Sequence, residues 1–153
     1  MISLELKIPP VLLVITFAML MWAISWLSPG IAVPLAARIT ALLVFTAIGA
    51  CFSVSGVYCF NKAKTTVNPI TPNAASALVT SGIYRHTRNP MYVGFLFALI
   101  GWGLFLANLY ALALTLGFVW YMNRFQIQPE EQALDSLFGS DFLAYKREVR
   151  RWL

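Results

Sequence analysis

Four apolar stretches decide what this chain can fold into. They run from about Pro10 to Leu27, from Val33 to Phe60, from Met91 to Ala107, and from Leu109 to about Met122 with an extension to Ile127. A helix needs roughly 20 residues, within about 17 to 25, to cross the hydrocarbon core of a bilayer. The first two stretches are long enough, the third lies near the lower limit, and the fourth is short. Asn108 alone separates the third from the fourth, so the two read as a tight helical hairpin. Charged residues make up only 11% of the chain, against about 25% in soluble domains. The expectation is an all-α integral membrane protein, with one domain over 1–153 built as a bundle of about four transmembrane helices. Lys7 ahead of the first stretch gives it the look of a signal sequence. The apolar run is long for one, however, no small-x-small cleavage site follows, and three further stretches come after it, so a retained helix is expected.

Basic residues set the orientation, because lysine and arginine accumulate on the cytoplasmic side. With four spans, Lys7, Lys62, Lys64, Arg85, Arg88, Arg124, Lys146, Arg147, Arg150 and Arg151 share one side, and Arg38 is the one basic residue elsewhere. This predicts an inner or plasma membrane protein with both termini and the 61–90 connection in the cytoplasm. Arg38 lies close enough to the start of its helix to snorkel to the interface. Gly49, Ser53 and Gly56 in the second stretch, and Gly94, Ala98 and Gly101 in the third, put small residues at helical spacing, which lets helices approach closely in lipid. Cys51 and Cys59 are eight residues apart, about 12 Å along a helix, too far for a disulfide.

The connection from 61 to 90 is longer than the roughly 12–15 residues beyond which loops tend to be functional or disordered. It holds too many apolar residues, among them Val67, Ile70, Leu78, Val79 and Ile83, for a free linker. A short helix from Asn73 to Val79, a turn at Gly82 and a helix start at Pro90 are expected. After the fourth stretch, Pro129, Glu130 and Glu131 open another helix, where acidic residues suit the helix dipole. Gly139 breaks it. A last helix, about Asp141 to Trp152, places Phe142, Tyr145, Val149 and Trp152 on one face flanked by basic residues. That pattern fits an amphipathic helix on an anionic membrane surface, or a cover over the cytoplasmic end of the bundle.

The sequence carries no glycine-rich phosphate loop, no cluster of metal ligands and no serine–histidine–acid set. His86 is a lone histidine in a loop. What converges on the cytoplasmic rim is Tyr84, Arg85, Arg88, Asn89, Tyr92, Asn123, Arg124, Glu130 and Glu131. A belt of interfacial tyrosines and arginines explains part of that set; paired carboxylates go beyond it and suit a ligand site.

Two of these stretches carry a resemblance. Leu78-Val79-Thr80-Ser81-Gly82-Ile83-Tyr84 followed by Arg88-Asn89-Pro90-Met91-Tyr92-Val93-Gly94 resembles the C-terminal motif of the isoprenylcysteine carboxyl methyltransferases, which are related to the phospholipid N-methyltransferases. Glu130-Glu131-x-x-Leu134, then Phe138-Gly139 and Tyr145, is similar to their second motif. The likeness covers roughly 65–151 and places the cofactor region in 65–94 and 124–151. It implies a helical membrane bundle that binds S-adenosylmethionine at the cytosolic face. By position, Ser76, Ala77, Leu78, Val79, Tyr84, Asn89, Pro90, Met91, Tyr92 and Glu130 would line the cofactor pocket, with Arg124 and Glu131 on the substrate side. The motif histidine is Asn89 here, and Gln126 stands near the expected substrate-side arginine.

Methyl transfer from a sulfonium is an in-line displacement, so alignment supplies much of the catalysis, and aromatic faces attract the cation. The acceptor would be lipidic or a small molecule reaching the site from the membrane, with a prenylcysteine carboxylate as archetype and a phospholipid amine or small thiol as alternatives. The lack of an obvious base favours an anionic acceptor. Nucleic acid is not an expected partner. A non-catalytic helical scaffold that keeps the fold is the competing class, and cofactor binding separates the two. A transporter fits less well, because the spans hold almost no ionisable residue.

Overall fold

The computed structural model describes residues 5–63 and 77–153, and these form helices and connections without a strand among them. Six α-helices follow in order: α1 Pro10–Leu27, α2 Leu35–Lys62, α3 Pro90–Leu106, α4 Leu109–Tyr121, α5 Gln128–Phe138 and α6 Ser140–Glu148. A 3-10 turn at Gly82–Arg85 precedes α3. The first helix has the expected bounds. The second starts after Pro34 rather than at Val33, since proline cannot donate to a helix and disfavours helical geometry in the residue before it.

Helices α1 and α2 are long and apolar enough to cross a membrane, whereas α3 is apolar but shorter. Only 6% of the apolar window of α2 is buried within the protein. Leu35, Ile39, Leu43, Val44 and Val54 face outward, a surface suited to acyl chains rather than to water. On its other side α2 lies flat against α3. A Cβ added at Gly49 would stand 2.5 Å from the Gly94 carbonyl oxygen, and one at Gly101 would stand 2.9 Å from the Phe45 Cβ. The small-residue stripes are therefore the α2–α3 interface, as their spacing predicts.

The hairpin between α3 and α4 turns in two residues. Ala107 ends α3 in the left-handed region, and the Asn108 side chain accepts from the Ala111 N–H to cap α4. The Asn108 amide also donates to Ser28 Oγ at 2.8 Å and to the Pro29 carbonyl, which ties the end of α1 to the hairpin. Arg38 does not simply snorkel outward. It donates to the Phe105 carbonyl, a C-terminal orphan of α3, and lies over the Phe105 ring. Leu13, Met21, Leu99, Ala111, Phe118 and Met122 fill the core between α1, α3 and α4.

Two expectations change at the other end. The fourth apolar stretch does not stop for a new helix to begin. It widens into a π turn at Met122–Ile127 and runs on into α5. Pro129 gives the reason: it has no N–H for the Phe125 carbonyl four residues back, and its ring would crowd that carbonyl. The wider turn relieves the crowding, and the Phe125 carbonyl instead accepts from Leu6 N–H at 3.1 Å. The second change is in the last helix, which ends at Glu148 and gives way to extended chain from Val149. Its apolar face, Phe142, Tyr145 and Val149, packs on Val79, Tyr84 and Cys59, so α6 covers the end of the bundle. Of the short helix expected at Asn73–Val79, residues 73–76 lie outside the described residues, and 77–80 are irregular.

Candidate functional site at the polar end of the bundle

Pro90 begins α3, and Tyr92 follows on its first turn; Glu130 sits on the first turn of α5, just past the π turn. This brings the two together. The Tyr92 hydroxyl donates to Glu130 Oε1. Tyr84, buried on the 3-10 turn, lies within electrostatic reach of the same carboxyl. Its place is fixed by an edge-on contact with Phe60, 5.3 Å between ring centroids, and by Tyr145, whose hydroxyl donates to the Tyr84 carbonyl at 2.7 Å. Burial is the main reason that the Glu130 carboxyl is pushed up to about 8. The negative charge of Glu131 adds to the rise, and the Tyr92 hydroxyl opposes it. Burial likewise lifts the Tyr84 and Tyr145 hydroxyls well above the ordinary tyrosine value.

Glu131, one residue on, has the opposite environment. Arg88 Nη2 donates to its Oε1 at 2.7 Å, and Arg151 Nη2 donates to its Oε2 at 2.6 Å. Burial pushes this carboxyl up, but the two guanidinium groups outweigh it and hold it below the usual range. Arg88 does further work with its other nitrogens. Nη1 donates to the carbonyls of Val149 and Lys146, the free C-terminal carbonyls of α6, and its backbone N–H donates to the Arg150 carbonyl at 2.9 Å. The Asn89 amide donates to the Arg151 carbonyl at 2.9 Å, and Thr87 reaches the same atom. Residues 149–151 are thus laced to residues 87–89 and locked by one carboxylate.

The residues singled out in the sequence divide accordingly. Tyr84, Tyr92 and Glu130 meet, with Pro90 and Met91 on the same turn as Tyr92. Val79 belongs to the buried cluster around Tyr84 and α6, with Leu78 packed against it. Ala77 stands half-buried at the edge of the described chain, and Ser76 lies outside it. Asn89 engages the C-terminal segment rather than Glu130. Glu131 is enclosed by its two arginines. Arg124 sits at the rim, largely exposed, and pairs with Glu5 at 3.0 Å. Sequence reading missed the partnership of Glu131 with Arg88 and Arg151, because partners 43 and 20 residues apart leave no periodicity to read. It also missed the grip of the N-terminal segment on the π turn, where Gln126 Nε2 donates to the Ile8 carbonyl at 2.6 Å. A proline inside a continuous helical pattern was the available signal. No group of three or more histidine, cysteine or acidic side chains among the described residues could hold a metal ion.

The sequence profile of the phospholipid methyltransferase family matches residues 37–141, which takes in α2 to the start of α6 and both acidic residues. The chain belongs to the phospholipid methyltransferase family. Within it, the chain resembles enzymes named protein-S-isoprenylcysteine O-methyltransferase. It is 33% identical to the Homo sapiens protein over 132 residues, 82% of this chain and 40% of that one. It is 35% identical to the Schizosaccharomyces pombe protein over 77 residues, 50% of this chain and 33% of that one. An uncharacterized protein of Haemophilus influenzae is 43% identical over 63 residues, which is the whole of that protein and 41% of this chain. The chain thus spans a third to two fifths of the length of these two methyltransferases. No solved structure matches.

Proposed function

We propose that this protein is an S-adenosylmethionine-dependent methyltransferase of the membrane, acting on a hydrophobic acceptor that reaches the site from the bilayer. The observation that carries the reading is Glu130. It is a buried carboxyl with a tyrosine hydroxyl but no cationic partner among the described residues, while its neighbour Glu131 has two. A carboxyl left in this state suits a cation brought by a ligand, and the Tyr84 and Tyr92 rings beside it add faces that attract one. A sulfonium fits that set. When bound, the cofactor supplies the electrophilic methyl group.

The chain's own residues supply the rest. Glu130, held by Tyr92, orients the cationic end of the cofactor. Leu78, Val79, Tyr84, Asn89, Pro90 and Met91 frame it, and α6 with residues 149–151 covers the end of the bundle against water. Glu131 contributes by fixing Arg88 and Arg151. Arg124 stands at the rim where an acceptor arrives. In this reading α3 and α4 cross the membrane with α1 and α2. The termini and the polar end then face the cytoplasm, where the cofactor is available, and the acceptor enters from the lipid.

Titration calorimetry of the purified chain with S-adenosylmethionine and its demethylated product, in detergent and in nanodiscs, tests the reading. Micromolar binding in both is expected. Absence of binding in both contradicts it and leaves a non-catalytic scaffold.

A further inference from the structure

Gln126 is 1% exposed, and its Oε1 is buried without a hydrogen-bond partner. Its orientation is not free. The Ile8 carbonyl, 2.6 Å from Nε2, can only accept, so the amide NH2 must face it and the oxygen must face away. Gln126 lies four residues before Glu130, so the two project from one face of the continuous helix. An amide oxygen buried and unpaired costs about 1–3 kcal/mol, a penalty that a ligand supplying a hydrogen removes.

We infer that Gln126 is a specificity-determining residue of the acceptor site, its carbonyl taking a hydrogen bond from an acceptor that keeps a hydrogen on its attacking atom. An amine nitrogen or a hydroxyl oxygen meets that condition; a carboxylate or thiolate does not. The step is simple for an amine. Its lone pair forms the new bond to the methyl carbon, the carbon–sulfur bond breaks with its electrons going to sulfur, and the nitrogen becomes a methylammonium that sheds a proton to water. Positive charge grows on nitrogen during transfer, so the N–H to Gln126 bond strengthens at the transition state and selects in kcat/KM. This inference rests on the methyltransferase reading and departs from the anionic acceptor that the sequence favoured.

The test compares transfer of labelled methyl from S-adenosylmethionine to phosphatidylethanolamine, farnesol and N-acetyl-S-farnesylcysteine, with the full chain in nanodiscs. Wild type should favour the first two. Gln126→Met should lower kcat/KM for them by about five- to tenfold, the worth of one hydrogen bond. It should leave transfer to the carboxylate probe and the affinity for S-adenosylmethionine unchanged, which also shows that the variant is folded. Gln126→Glu, which when protonated donates to the Ile8 carbonyl and keeps a second oxygen, should restore the preference. Wild-type transfer to the carboxylate alone or to none of the probes, equal losses on all three in Gln126→Met, or weakened cofactor binding with unchanged selectivity would each overturn the inference. If wild type fails to bind S-adenosylmethionine, the functional reading itself has failed and this one falls with it.

Discussion

The two ends of the bundle differ in how completely they satisfy their polar groups. At the hairpin end, Asn108 uses its oxygen on the Ala111 N–H and its amide on Ser28 and Pro29. Arg38 takes the Phe105 carbonyl, and Ile31 N–H donates to the Ala107 carbonyl at 2.7 Å. At the other end, the buried Arg88 Nε, Tyr121 hydroxyl and Gln126 Oε1 have no partner, and Glu130 has no cation among the described residues. Buried polar groups are nearly always paired, so leftover capacity gathered at one end marks where a ligand belongs. The hairpin end builds the fold, and the polar end keeps bonding capacity in reserve.

The same contrast recurs between adjacent acids, and breaking it should give the largest effect. Glu131→Gln removes the shared partner of Arg88 and Arg151. Breaking a buried ion pair costs several kcal/mol, so about 3 kcal/mol of stability should be lost, with residues 149–151 released to proteolysis. A melting temperature equal to wild type would show that Glu131 does not lock the C-terminal segment.

Asn108→Ala tests the opposite end. Losing the cap costs about 0.5–2 kcal/mol, with some further loss as the Ser28 and Pro29 contacts go. Cofactor affinity in the folded fraction should not change. A variant that melts like wild type but binds cofactor poorly would invert the comparison.

The smallest effect lies in pH dependence. Native Glu130 keeps its proton up to about pH 8, whereas an unperturbed glutamate loses it near 4.5. The folded state therefore holds more protons between these values, and the stability this gives is full below 4.5 and lost as pH rises through 8. Glu131 is shifted the other way, so its contribution is present above the ordinary glutamate range and lost as pH falls. Melting temperature should decline from pH 5.5 to 8.5 in wild type and decline less in Glu130→Gln. An equal slope in both would remove Glu130 as the titrating group.

Much of the fold was legible from local rules. The α1 bounds follow from hydropathy and proline placement, the α2–α3 contact from glycine spacing, and the hairpin from Asn108. The π turn needed one further step, from Pro129 to the carbonyl it leaves unbonded. The candidate site was legible where a motif holds it, at Tyr84, Tyr92 and Glu130. It was not legible where the chain folds back on itself. Arg151 looked like part of a membrane-facing basic stripe, yet it closes on Glu131, and Asn89 looked like a pocket residue, yet it holds the C-terminal backbone. The pairing of distant segments depends on how helices stack, which periodicity does not encode.

The central claim is that Glu130, rather than Glu131, waits for a cation. It is tested most directly by calorimetric titration of S-adenosylmethionine into wild type and Glu130→Gln across pH 6.5 to 9. Wild-type affinity should rise with pH through about 8 as the carboxyl ionises, with proton release on binding. Glu130→Gln should stay folded, bind about tenfold to a hundredfold more weakly, as loss of a charge-assisted hydrogen bond implies, and show no such rise. Equal affinities in both proteins at every pH would contradict the account.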